Sequence, residues 1–294
     1  MRAFIAAFAA LALAGVTGPA VLAEEPLETL TVVGRIGVGS PEGDALQAEL
    51  DAYAADREIQ IVYEEYGDFA DLVARVAGPN PPDLALVPQP ANLVELAPDL
   101  VDLTGYVKAD KLRSDYGDYL IDQVAVDDAV VGVPVKSALK SLVWYRPAAF
   151  DALGYAIPGS FDELVALSDQ MVANAQTPWC AYMESGQATG WMGSDWIEDL
   201  LLSAEGPAVY DQWVEHTVVF ADPRVEIAFE RFRQMMDTAG YVFDRANLTN
   251  VFFFANAIPL GDEDCLMHKQ AAFFAAAITG FGYDLDEFAT FEFP

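Results

Sequence analysis

The chain has 294 residues, 53% hydrophobic and 12% aromatic, enough to bury a core and too apolar for a disordered segment. Its 46 acidic residues face 15 basic ones, and the resulting net charge of −31 opposes binding to nucleic acid or to an anionic membrane surface. The charge fits solubility but names no ligand, because most of these carboxylates are expected on a solvated surface.

In chain order, Arg2 gives a short positive region and Ala3 to Val16 is almost entirely apolar. That run is shorter than the roughly 20 residues needed to span a bilayer. A small-residue site follows at Val21 and Ala23, just before Glu24-Glu25. Residues 1–23 are therefore expected to be a cleavable export signal. No cysteine stands at the cleavage point, so no lipid anchor is expected, and the mature chain is placed in a Gram-negative periplasm.

Leu30 to Val33 reads as a strand, Glu42 to Arg57 as a helix with Leu46, Leu50 and Tyr53 at helical spacing, and Ile59 to Glu64 as a second strand. Phe69 to Ala77 places Phe69, Leu72, Val73 and Val76 on one helical face, and Gly78-Pro79-Asn80-Pro81-Pro82 breaks the chain before a third strand at Asp83 to Val87. Alternation of this kind predicts a parallel α/β sheet. Val130 to Tyr145 reads as one long strand with Gly132 and Pro134 near its start, which suits an edge or a crossover. Beyond Ala148 the pattern turns helical. Ser160 and Glu163 form a capping box for a helix reaching about Ala175. Asp222-Pro223 opens another, with Val225, Phe229, Phe232 and Met236 expected inside and Gly240 as its stop. The change of style near residue 140 suggests two lobes, 24–138 and 139–294.

No nucleophile elbow and no H-E-x-x-H occurs, so no catalytic residue and no metal site is expected. His216 and His268 lie far apart in sequence. Gly34-Arg35-Ile36-Gly37-Val38-Gly39 follows a strand and precedes a helix, with Glu64 at the end of the next strand, as in a dinucleotide loop. Its order is G-x-x-G-x-G, not G-x-G-x-x-G, and an exported chain rarely meets NAD, so no cofactor is expected. Cys180 and Cys265 are the only cysteines, and an even count in an oxidising compartment suggests one disulfide.

The aromatics point further. Thr189-Gly190-Trp191-Met192-Gly193-Ser194-Asp195-Trp196 sets two tryptophans in a glycine-rich stretch. Trp196, with Ile197 and Leu200 at helical spacing, reads as core. Trp191, between glycines, reads as exposed to a ligand. An aromatic face stacked on a sugar ring and a carboxylate aimed at its hydroxyls is how such a ring is held, and Trp191 and Asp195 supply one of each.

Asn80-Pro81-Pro82-Asp83-Leu84-Ala85-Leu86, Gly132-Val133-Pro134, Ser141 to Tyr145 and the helix start after Pro158 resemble motifs of family 1 extracellular solute-binding proteins. Lys140 to Tyr145, Trp179-Cys180, Ala188 to Asp199 and Cys265 to Gln270 resemble those of the α-glucoside-binding proteins of ABC importers, relatives of maltose-binding protein. The resemblance covers essentially the whole mature chain. It implies a two-lobed α/β fold, the type II periplasmic-binding-protein fold, with hinge crossover strands. It also implies a monomer that captures a neutral sugar or oligosaccharide for permease subunits in the inner membrane. Carried over by position, Gly37, Ser40, Asp68, Gln89, Lys136, Thr189, Trp191 and Asp195 are the candidate ligand residues. Family members run to about 400 residues, so the C-terminal part of the fold is expected to be missing after a strand near Phe291. Two other readings stay open: a secreted carbohydrate-active enzyme using paired acids, and a truncated remnant that binds nothing.

Overall fold

The computed structural model describes residues 28–37 and 41–294. The expected export signal and Ser40 lie outside the described residues. The first region alternates β1 (Thr29–Gly34), α1 (Pro41–Arg57), β2 (Gln60–Glu65), α2 (Phe69–Val76) and β3 (Leu84–Ala85). Both pairings of β1 are parallel, in the order β2-β1-β3. Parallel neighbours need a crossover, and the two helices supply it. As the central strand, β1 carries Val32 and Val33, each 2% exposed. α2 lays Leu72 and Val76 against Val33, and Leu96 of α3 (Asn92–Leu96) completes that cluster. α4 (Ala109–Tyr116), α5 (Asp118–Asp122) and the hairpin of β4 (Ala125–Val126) with β5 (Ala129–Val130) close a second cluster around Ile121.

The glycine loop after β1 is shaped by the protein itself. The Tyr63 hydroxyl accepts from the Ile36 amide at 2.9 Å, and a Cβ at Gly34 would stand 2.5 Å from that hydroxyl. Glycine is needed there for this close approach. Glu64 is occupied by an ion pair with Arg75 at 3.0 Å.

The second region is built on β6 (Leu142–Tyr145), flanked antiparallel by β7 (Met267–Lys269) and β8 (Ala289–Glu292). Alternate side chains of a strand face opposite ways. Val143 accordingly enters a large core with Trp179, Trp196, Leu200 and Met235, while Trp144 enters a separate cluster with Phe274, Ala257 and the two cysteines. The helices around these cores are α6 (Pro147–Leu153), α7 (Phe161–Ala173), α8 (Trp191–Glu205), α9 (Pro207–Val214), α10 (Pro223–Asp237), α11 (Ala257–Gly261) and α12 (Phe274–Gly280). Among the described residues, no core cluster mixes residues from before and after the segment 132–142.

Several expectations need correction. The long strand expected over Val130 to Tyr145 is two strands, β5 and β6, with no regular structure in 131–141. Gly132 and Pro134 interrupt the pairing, since proline cannot donate to a ladder, and Ser141 turns the chain at φ +61°. β3 is only two residues long. Ser160 accepts from the Glu163 amide at 3.2 Å, but Glu163 reaches past it to the Gly159 amide at 2.7 Å, and α7 stops at Ala173. In α10 the buried stripe is Val225, Ala228, Met235 and Met236. Phe229 lies at its edge, 37% exposed, against Phe220, and the helix ends at Asp237 rather than running to Gly240.

Cys180 and Cys265 are joined, with Cα atoms 5.4 Å apart at a sequence separation of 85. Both are buried beside Trp144 and Phe274. Closing a loop of this length stabilises the fold by about 4–5 kcal/mol in the chain-entropy account. Urea unfolding of the oxidised and the fully reduced protein should differ by about that amount, and equal midpoints would remove the bridge from the list of stabilising elements.

Candidate functional site

The site is carried by the first two turns of α8. Gly190, at φ +97°, turns the chain into the helix, a conformation that favours glycine. Trp191 follows as the first helical residue. Its indole is half-buried, with Phe253 and Phe273 at centroid distances of 5.3 and 6.1 Å. Asp195 lies one turn on and Asp199 one turn further, so all three share a face. That face meets the chain just before β6. Lys140 donates to Asp195 Oδ1 at 2.8 Å, and its ammonium stands 5.7 Å from the Trp191 centroid, over the ring. Ser141 Oγ donates to Asp199 Oδ1 at 2.6 Å.

Behind this layer lies Lys269 of β7, with a side chain only 4% exposed. Its ammonium pairs with Asp199 Oδ2 at 2.6 Å and donates to the Asp195 carbonyl at 3.1 Å. It also sits over the rings of Trp196 and Phe293, at 5.6 and 5.3 Å. On the outer side, Tyr210 donates to Glu198 Oε2 at 3.3 Å. Burial first, and the Asp195 carboxylate second, push the Glu198 carboxyl up. Burial and then the charge of Glu198 push the Tyr210 phenol up to about 12. Beyond Glu198 the surface opens into a groove of about 600 Å³, lined by Tyr210, Trp213, His216 and Phe220 among others.

Of the residues singled out in the sequence, the structure brings together Trp191 and Asp195. Thr189 is tied into its own turn, accepting from the Ser185 amide and donating to the Gly186 carbonyl. Asp68 and Asp71 form the reciprocal cap of α2. Gln89 is exposed and its carbonyl accepts from the Asn92 amide. Lys136 pairs with Glu42 of α1 at 2.6 Å, and Gly37 is exposed after β1. Lys140, Asp199 and Lys269 were not among the candidates. A lysine placed between Leu266-Met267 and Ala271-Ala272, in a chain so poor in cations, was the available signal.

His268 faces the disulfide side. It is 2% exposed, with Nδ1 2.8 Å from the Cys180 carbonyl, so the neutral ring donates from Nδ1. Burial above all, then the charge of Lys269, lowers it to about 4.

The sequence profile of the bacterial extracellular solute-binding proteins matches residues 38–252. The chain belongs to this family. It is 34% identical over 289 residues to the osmoprotective compounds-binding protein GgtB of Synechocystis, covering 94% of this chain and 66% of that one. It is 30% identical over 260 residues to the alpha-glucosides-binding periplasmic protein AglE of Rhizobium meliloti, covering 84% and 56%. The chain thus spans about two thirds of the first relative and just over half of the second. Among solved structures, the solute receptor AcbH superposes with a TM-score of 0.71 at 19% identity, covering 91% of this chain and 66% of that one. The maltotriose binding protein of Thermus thermophilus superposes at 0.66 and 13% identity, covering 90% and 66%. At these identities the likeness is one of fold.

Two measurements test the architecture of the site. Lys269→Met leaves Asp199 without its cation and should cost about 3–5 kcal/mol of stability, most of it regained in Lys269→Met/Asp199→Leu. Chemical denaturation of the three proteins decides this. For His268, the folded value lies below the ordinary 6.5. Between about 6.5 and about 4 the unfolded chain therefore holds the extra proton. Stability should fall as pH drops through that window, by about 1.4 kcal/mol per unit from this group. His268→Asn, which keeps a donor near the Cys180 carbonyl, should lack that part of the slope in urea titrations from pH 7 to 4.

Proposed function

We propose that this chain is an extracytoplasmic substrate-binding protein that captures a neutral sugar, an oligosaccharide or a related polyhydroxylated solute for an ABC importer. The observation that carries the reading is the face of α8, where an indole and a carboxylate stand one turn apart. An aromatic face takes the C–H side of a pyranose ring and a carboxylate takes its hydroxyls. The charges there balance as Lys140 with Asp195 and Lys269 with Asp199. A site so compensated has no surplus cation for an anionic ligand, and the overall charge of −31 repels one. Both acids are already engaged by ammonium groups, which suits holding hydroxyls better than moving protons.

In this reading residues 24–138 and 139–294 are two lobes and 131–141 is the connection between them. The separation of the core clusters and the irregular backbone of that segment support it. Ligand then favours a closed arrangement through the contacts made only there, and a permease pair in the inner membrane reads that state. The name of one relative, an alpha-glucosides-binding protein, supports polyhydroxylated solutes as the class to try first, and that of the other puts osmoprotective compounds on the same panel.

Thermal melts with a panel of neutral mono-, di- and trisaccharides and small polyols test this. Ligand at 100 times its Kd stabilises the native state by about 2.7 kcal/mol. Trp191→Ala and Asp195→Asn should each weaken binding of the active solute by about tenfold or more, roughly 1.4 kcal/mol. A panel without any shift, or variants that bind as the parent does, would refute the assignment.

A further inference from the structure

Lys140 stands on both groups that the proposed site offers to a sugar. Its ammonium lies over the Trp191 ring, where a pyranose would stack, and bonds the Asp195 carboxylate, which would take hydroxyls. The two contacts are independent and point to the same place. The side chain that makes them is 48% exposed, while Asp195 is only 15% exposed. The lysine is therefore the solvent-facing partner and the carboxylate the enclosed one. The backbone around it is pinned: Ser141 holds Asp199 through its hydroxyl and accepts from the Phe293 amide at 2.7 Å, and the Leu139 carbonyl accepts from the Ala272 amide at 2.8 Å. The side chain can leave the site by rotating on its own stem, with no change in the backbone.

We propose that Lys140 is a displaceable occupant of the solute site, so that a neutral ligand enters by exchanging with its ammonium. The inference rests on the binding site proposed above and goes beyond it in two respects. The lysine sets specificity, because a ligand must offer both an apolar ring face and hydroxyl donors to replace what it removes. It also sets a salt response. A half-exposed ion pair is weakened by screening. A neutral ligand has no such pair to lose, so salt should strengthen its binding. In an unoccupied site the ammonium also keeps the indole covered and the carboxylate partnered.

The experiment is a calorimetric titration of the parent, Lys140→Met and Lys140→Arg with the best neutral solute of the panel, from 0.05 to 1 M NaCl. Lys140→Met keeps the apolar stem and removes the charge. It should bind about five- to twentyfold tighter at low salt, from the loss of one ion pair and one cation–π contact that ligand must otherwise displace. The parent should gain about two- to fivefold in affinity across the salt range, and Lys140→Met should be flat. Lys140→Arg, which keeps both contacts, should behave as the parent. Weaker binding by Lys140→Met with an unchanged melting temperature would overturn the proposal and make the lysine a ligand donor instead. A parent affinity indifferent to salt, or a salt response retained in Lys140→Met, would overturn it too, since the response would then belong to the chain's overall charge. If neither the parent nor any variant binds any solute at any salt while all melt cooperatively, the binding site itself falls, and this inference with it.

Discussion

The ammonium of Lys269 is the point on which the second region turns. Burying a lysine costs several kcal/mol of hydration, and it is tolerated only where a carboxylate, a carbonyl or an aromatic face replaces the lost water. Here all three do: Asp199, the Asp195 carbonyl, and the rings of Trp196 and Phe293. Lys269 is paired in register with Val143 of β6, and Val143 in turn with Phe291 of β8. The ion pair therefore locks α8 to β7 directly and to the other two strands through their ladders. Because Asp199 is held from behind, the two turns of α8 before it project Trp191 and Asp195 at a fixed height above the sheet.

A chain with three times as many acids as bases has little freedom in where it spends its cations. Among the described residues some, such as Arg57, Lys111 and Arg224, pair with near neighbours in sequence, while others stand where distant segments meet. Arg146, just after β6, donates to the Gly261 carbonyl and pairs with Glu263 and Glu287, joining three separate stretches. Arg75 of α2 pairs with Glu64 of β2, and Lys136 joins the irregular segment to α1. Four residues later, Lys140 joins that same segment to α8. The two lysines thus bind one stretch of chain to both regions. Each such pair is worth little alone at an exposed position. Their placement orients segments that the separate cores leave unconnected.

Some of this was legible in the residues and some was not, for physical reasons. The β-α-β-α-β order, the cap at Ser160 and the burial of Trp196 follow from local signals: β-branched runs, a side-chain acceptor at a helix start, and apolar spacing of three to four. The family followed from motifs in order along the chain. What local pattern misjudged is what tertiary packing decides. Val130 to Tyr145 is apolar enough for one strand, but Gly132, Pro134 and the turn at Ser141 leave only its ends paired. Phe229 fits a helical stripe within its range of phase, but Ala228, 1% exposed, takes the inner position and Phe229 the edge. Lys140 and Lys269 escaped notice because a charged residue in isolation reads as surface. Their value depends on partners 55 and 70 residues away.

The same comparison explains why Trp191 and Trp196, five residues apart in one sequence motif, have different fates. Five residues on a helix is a rotation of about 140°, so the two indoles cannot share a face. Trp196 turns inward onto Trp179 and beneath the Lys269 ammonium. Trp191 sits half-buried at the helix start, at the margin of the large core, with Phe253, Phe273 and the tip of Lys140 against its ring. Lysine tips are the most readily rehydrated of these neighbours, since water restores most of what they lose. An aromatic ring held by two phenylalanines and covered by a removable ammonium is a pre-formed surface whose exposure costs little. A site of this kind can be rigid enough to select a ring by shape and still remain partnered when no ring is present.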